Sequence, residues 1–303
     1  MTHKTLVKSE DLIKHLGDPD WAIFDCRFDL ANSEQGEKEY RESHIPGALY
    51  VHLEQDLSAP IKPKISSRYS GRYSGHAERS NKPTGRHPWL SLKQATILLS
   101  DLGIDENVQV VVYDAKGGAL AAARLWWTLR WLGHDAVAVL DGGWQNWVNT
   151  NSPTSHEREL REPRKFKPRE RPELILKSDD VNRIRLDKHY KVIDARGRER
   201  YLGLIEPIDP VAGHIPGAIN IPYANNLDEN GFFLPPSDLK KMYRKELGRT
   251  PIDRCVFYCG SGVTSIHNLL ALMHIGMGEG RLYAGSWSDW ISDETRPVAT
   301  DES

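Results

Sequence analysis

The segment Phe257-Tyr258-Cys259-Gly260-Ser261-Gly262-Val263-Thr264-Ser265 carries the residues of this chain best suited to covalent chemistry. An apolar strand is expected to end at Cys259, with a helix beginning about four residues later. The two intervening glycines allow the loop to curl so that successive backbone N–H groups point inward and form an anion nest. The helix that follows adds the positive end of its dipole. A thiol at the centre of such a nest ionises more readily and becomes a strong nucleophile. The same surroundings favour a persulfide anion, whose charge sits on a soft sulfur that needs hydrogen-bond donors. A strand-end cysteine can also be a small buried hydrophobe, but the Gly-Ser-Gly loop favours the reactive thiol. Cys255, inside the strand, and Cys26, just after Asp25, are expected to be structural.

The elements that must position Cys259 are legible because the chain repeats itself. His44-Ile45-Pro46-Gly47-Ala48 recurs as His214-Ile215-Pro216-Gly217-Ala218, and Asp25-Cys26-Arg27 as Asp194-Ala195-Arg196. Gly142-Gly143-Trp144 recurs as Gly285-Ser286-Trp287, and Val110-Val111-Val112-Tyr113-Asp114 matches Cys255-Val256-Phe257-Tyr258-Cys259. Four pairs in one order indicate two duplicated domains. The spacing between partners is larger at the His-Ile-Pro-Gly-Ala motif than at the Asp114/Cys259 match, so the first half carries an insertion. The Ser-, Gly-, Pro- and Arg-rich stretch from Ser58 to Leu90 is the expected place, as a long surface loop. Short β-branched runs suit buried parallel strands. Stretches with an amphipathic reading follow them, Ala119 to Leu132 and Val263 to Ile275. Ser91 and Gln94 form a candidate capping box opening a helix through Leu102. The alternation predicts an α/β fold in which each domain has a mostly parallel sheet flanked by helices. The expected division is a first domain over 1–150, a linker over 151–172 and a second domain over 173–303. The linker reading follows from Pro153, Pro163, Pro168 and Pro172 among mixed charges.

The composition excludes several classes. The chain has 303 residues, enough for two cores, and a formal net charge of −2, which gives no global pull toward nucleic acid or anionic membrane. The basic residues of the linker alternate with acidic ones and read as a solvated segment. Three cysteines argue against a disulfide scaffold, and no Cys/His pairs stand at zinc-finger spacing. No metal or cofactor is expected. The N-terminal residues lack the apolar run of a signal peptide, and no stretch is long enough to span a bilayer, so a cytoplasmic location is the expectation.

The paired His-Ile-Pro-Gly-Ala motifs, the duplicated halves and Cys259-Gly260-Ser261-Gly262-Val263-Thr264 resemble the tandem-domain rhodaneses. Within that family the loop is similar to that of 3-mercaptopyruvate sulfurtransferases, whereas thiosulfate sulfurtransferases typically have basic residues after the cysteine. The resemblance spans roughly Leu6 to Pro297 and implies two tandem rhodanese-like domains. The first is expected to be noncatalytic, because Asp114 stands where Cys259 stands in the second. It implies ping-pong transfer of sulfane sulfur through a Cys259 persulfide. The donor is 3-mercaptopyruvate or thiosulfate, and the acceptor is cyanide or a thiol, with thioredoxin or another thiol protein among the candidates. The loop residues Gly260, Gly262, Val263 and Thr264 would cradle the sulfur, and Ser261 would join a proton relay. The matching candidates for the rest of that relay are His87, in the insertion, and Glu54. Arg200 matches a family arginine that holds the anionic donor, and a guanidinium fork suits such a group. A second family arginine is expected some nine residues later, where this chain has Asp209.

Other features read as structural. The two Asp-x-Arg motifs are expected to form ion pairs at strand ends, and His44 and His214 to serve turns and packing. Trp126, Trp127, Trp131, Trp144 and Trp147 are expected to pack the core and the domain interface. Trp287 is expected to pack the core rather than line the cleft. Two other classes of function are weighed. A Cdc25-type phosphatase needs a Cys-x5-Arg loop, and the arginine position here is Ser265. A noncatalytic sulfur-binding module is disfavoured by the intact loop.

Overall fold

The computed structural model describes residues 2–60 and 85–301. The expected insertion therefore lies largely outside the described residues. The chain divides into two compact units: Met1–Lys82 with Trp89–Arg171, and Pro83–Pro88 with Pro172–Ser303. Residues 85–88, at the end of the expected insertion, thus belong with the second unit.

Among the described residues the first unit holds five parallel strands: β1 (Leu6–Val7), β2 (Trp21–Asp25), β3 (Ala48–Tyr50), β4 (Gln109–Tyr113) and β5 (Val137–Leu140). The second repeats the plan with β6 (Ile175–Leu176), β7 (Lys191–Asp194), β8 (Ile219–Asn220), β9 (Cys255–Tyr258) and β10 (Arg281–Tyr283). The strand orders are β1-β5-β4-β2-β3 and β6-β10-β9-β7-β8, so β4 and β9 occupy the same central position. Every residue of both central strands is buried. This is why their sequences read as continuous apolar runs rather than alternations. Both units are α/β, with parallel sheets flanked by helices, as the repeats predict.

The repeated motifs hold corresponding corners of the two units. Asp25 at the end of β2 grips Arg27, and Asp194 at the end of β7 grips Arg196, each pair fully or almost fully buried. Arg27 lies over the Trp144 ring and Arg196 over that of Trp287. His44 and His214 each bond through Nδ1 to a tyrosine carbonyl, of Tyr40 and Tyr201, and stack on that tyrosine's ring. The structural readings of these motifs therefore hold. So does the capping box: the Ser91 side chain accepts from the Gln94 N–H at the start of helix Leu92–Asp101.

Two expectations meet a different reality. The helix after β4, Ala121–Trp131, is buried on every side rather than amphipathic. Most of its polar groups find partners inside, the Trp127 indole N–H being an exception. The Trp126 indole N–H donates to the Lys4 and Val137 carbonyls, Arg124 lies over the Trp89 ring, and Arg130 pairs with Asp135. A helix with no solvent face needs no polar stripe. The helix after β9, Ser265–His274, is likewise buried from Ser265 through Leu272. The proline-rich stretch 151–171 is laid along the first unit rather than left as a free tether. Ser155 bridges His44, Arg161 donates to the Gly103, Trp21 and Pro19 carbonyls, and Arg171 grips Asp135. Among the described residues no helix is long and apolar enough to cross a membrane.

Candidate active site

The carboxyl end of a central parallel strand is where α/β sheets present ligands, and there the two units place Cys259 and Asp114. The loop after Cys259 turns its amides inward. The Val263 N–H donates to the Cys259 sulfur at 3.3 Å. The Ser261 and Ser265 N–H groups do the same, as does the Thr264 hydroxyl. Gly262 makes the curl possible. It has φ of +71°, and a side chain there would meet the Ala284 carbonyl at 2.1 Å. Thr264 stands just before helix Ser265–His274 but makes no side-chain cap. Its hydroxyl serves the sulfur instead. The Ser265 hydroxyl is fully buried beside the sulfur and helps to favour the thiolate.

The same cradle occurs in the first unit with a different anion inside. Asp114 Oδ1 accepts from the Lys116 and Gly118 N–H groups at 2.7 and 2.9 Å, and Oδ2 accepts from Leu120 N–H at 2.9 Å. Counted from the strand end, these are the same three positions whose amides face the sulfur of Cys259. The first unit thus seats a carboxyl group where the second places a thiol. Burial raises the Asp114 carboxyl above its usual range, even with these amides opposing.

A second loop braces the strand end. The Cys259 N–H donates to Ser286 Oγ at 3.1 Å, and the N–H groups of Trp287 and Ser288 donate to the Cys259 and Gly260 carbonyls. Ser286 has φ of +55°, while its partner in the repeat, Gly143, has +56°. A serine in that conformation is strained, and its bonds to Cys259 N–H and to the Tyr283 carbonyl offset the strain. Ser286 went unnoticed in the sequence, although a serine facing a glycine in the repeat was the available signal.

The thiol is 2% exposed. Burial alone would push it up, but the bonds from the Thr264 side chain, the Ser265 and Ser261 amides and the Ser265 hydroxyl outweigh it and bring it below the ordinary thiol value. Cys26 and Cys255 lack that compensation. Burial drives the first well above the usual range and the second up to about 12, so both are poor thiolates. Thr264→Val, which keeps the shape and removes the hydroxyl, should move the Cys259 titration upward, because it withdraws a donor from the charged form only. Thiolate ultraviolet absorbance against pH, with Cys259→Ser as the blank, reads this directly. An unshifted titration would show that the amides alone set it.

His87 and Ser261 are brought together: His87 Nδ1 lies 2.8 Å from Ser261 Oγ, and both residues are buried. The insertion histidine is therefore not a solvated loop residue. Arg200 lies at the loop mouth. It donates to Glu206 through Nε at 3.1 Å and Nη2 at 2.6 Å, and through Nη2 to Asp209 at 3.1 Å. Burial pushes the Glu206 carboxyl up, but the Arg200 contacts and the Asp209 and Ile208 amides hold it below the usual range. Arg86, which the sequence did not single out, pairs with the other oxygen of Asp209. Glu54 is exposed and belongs to the first unit, with its N–H bonded to His52 Nδ1. Among the described residues no group of three or more His, Cys, Asp or Glu is arranged to hold a metal ion.

A cysteine in an amide cradle at the end of β9, repeated with an aspartate at the end of β4, describes a duplicated domain. The rhodanese-like domain model matches residues 8–150 and again 178–293. The chain belongs to the rhodanese family. This rhodanese is 40% identical to the Pseudomonas aeruginosa protein named "Probable 3-mercaptopyruvate sulfurtransferase", over 99% of each chain. It is 30% identical to the thiosulfate sulfurtransferase of Rattus norvegicus, covering 90% of this chain and 86% of the relative. Among solved structures it resembles a 3-mercaptopyruvate sulfotransferase from Escherichia coli, with a TM-score of 0.73 and 27% identity, covering 94% of this chain and all of the other. This rhodanese is a sulfurtransferase, an enzyme that moves sulfur between small-molecule donors and acceptors.

Proposed function

We propose that this rhodanese takes sulfane sulfur from 3-mercaptopyruvate onto Cys259 and passes it to cyanide or a thiol, including a thiol protein such as thioredoxin. The observation that carries this reading is the amide cradle around Cys259 with the Ser261–His87 pair beside it. The Cys259 thiolate attacks the donor's thiol sulfur. An S–S bond forms as the donor C–S bond breaks, and the electron pair leaves on carbon as the enolate of pyruvate. That enolate takes up a proton, for which Ser261 and His87 form a short path. The new persulfide keeps its charge within the same amides until the acceptor attacks the outer sulfur and returns the thiolate. Arg200 faces the donor's anionic group, and the first unit, with Asp114 in its cradle, takes no part in the chemistry.

Thiosulfate is the second donor to consider. Asp209 stands where the mercaptopyruvate enzymes that this chain resembles place a second arginine, so the seat for the donor's anionic group departs from theirs. Sulfite leaves without needing a proton, so the two donors differ in their dependence on the relay. His87→Gln should lower turnover with 3-mercaptopyruvate by on the order of 10²–10³-fold, and turnover with thiosulfate much less. Equal losses with both donors would assign His87 a packing role. The direct test is intact-protein mass spectrometry after incubation with 3-mercaptopyruvate. A gain of one sulfur atom, removed by cyanide, is the expected result; no gain with either donor overturns the reading in favour of a noncatalytic module.

A further inference from the structure

The groups that crowd the mouth of the cradle belong to a continuous chain of ion pairs. Asp209 bridges two guanidinium groups, bonding Arg86 through one oxygen and Arg200 through the other. A side chain on Gly260, next to Cys259, would lie 3.0 Å from Arg86 Nη2, 3.7 Å from Arg200 Nη2 and 3.7 Å from Asp209 Oδ2. The bridge therefore closes over the start of the sulfur loop. Glu206 occupies the other edge of Arg200 and also reaches Arg196, which is gripped by Asp194. Three arginines thus alternate with three carboxylates. The Asp209 side chain is 3% exposed, against 26% for Arg86 and 18% for Arg200, so the carboxylate is the more deeply seated member.

A carboxylate held between two guanidinium groups occupies the seat that a donor's carboxylate or thiosulfonate would otherwise take. We propose that Asp209 is a resident competitor in the anion seat formed by Arg86 and Arg200, and that it sets which donors this enzyme accepts by their charge. Asp209 is a specificity-determining residue, not a catalytic one. An incoming anion must share or displace it, and a dianion pays more repulsion than a monoanion. The bridge therefore biases the site toward monoanionic donors such as 3-mercaptopyruvate and against thiosulfate. The seat's second arginine comes from the segment beside His87, not from the position nine residues after Arg200.

This inference rests on the sulfur-transfer reading, and the experiment separates the two. Asp209→Asn keeps the size and one acceptor oxygen while removing the charge. In the full chain, KM for 3-mercaptopyruvate should fall roughly tenfold and KM for thiosulfate further, with the change falling on KM rather than kcat. Inhibition by pyruvate, the product carboxylate, should tighten in parallel. Asp209→Ser serves the same purpose where the asparagine variant does not fold. If KM rises or stays put for both donors, Asp209 merely holds the arginines in place and the proposal fails. Mass spectrometry on the same samples distinguishes this from a failure of the sulfur-transfer reading. Sulfur on Cys259 with unchanged KM defeats only the competitor role, and no sulfur on Cys259 from any donor defeats both.

Discussion

Cys259→Ser is expected to lower sulfur transfer by on the order of 10⁴–10⁶-fold and to abolish the single-sulfur mass gain with every donor. The size follows from what the cradle stabilises. A serine hydroxyl is too weak an acid for nearby amides to ionise at neutral pH, and a carbon–oxygen nucleophile cannot hold sulfane sulfur as a persulfide. The fold should be untouched, because serine fits the volume and can accept the Val263 N–H that now faces the sulfur. Steady-state turnover with 3-mercaptopyruvate and thiosulfate, paired with circular dichroism, measures both parts. Substantial turnover in the variant would move the sulfur carrier elsewhere. Neither Cys26 nor Cys255 suits the task, since burial holds both thiols in the neutral form.

Asp194→Ala should cost about 3–5 kcal/mol of stability. Arg196 is 2% exposed and keeps its charge in the variant, so removing the carboxylate strands a buried cation that Glu206 only partly answers. Asp194 lies opposite Tyr258 in the β7–β9 register and also accepts the Arg196 N–H, so the corner next to Cys259 loosens with it. At roughly 2–4 °C per kcal/mol, the thermal midpoint falls by about 10 °C. A midpoint within a degree or two of the parent would contradict the ion pair's role. The double change Asp194→Leu with Arg196→Met should recover much of the loss, because it removes both charges together. Asp25 and Arg27 offer the matching test in the first unit.

The sequence disclosed what local chemistry writes into it. The duplicated motifs, the Gly-Ser-Gly loop and the capping box each depend on residues a few positions apart. The central strands announced themselves because a strand buried on both faces must be apolar throughout. Ala121–Trp131 misled for the opposite reason: Arg124, Thr128 and Arg130 look like a solvent stripe, yet their polar groups are answered indoors. Most elusive were contacts between distant positions. His87 reaches Ser261 across 174 residues, a pairing that only the family resemblance suggested, and Arg86 reaches Asp209 across 123, where nothing around either residue marks its partner. The family pattern expects an arginine at the Asp209 position itself, not one delivered to it from elsewhere in the chain.

The pair of identical cradles bears on how the enzyme keeps time with its cargo. In the first unit the cradle is always full: Asp114 engages its amides whether or not any reaction occurs. In the second, occupancy follows the catalytic cycle. A protonated thiol satisfies those donors poorly, a thiolate better, and a persulfide, which ionises more readily than a thiol, most consistently. On the proposed mechanism, sulfur loading would act on the second unit as a tightly bound ligand acts on any receptor, deepening the native well in the state that binds it. The charged and discharged forms of the proposed cycle differ by one atom, and that atom would also set how firmly the loop around it is held.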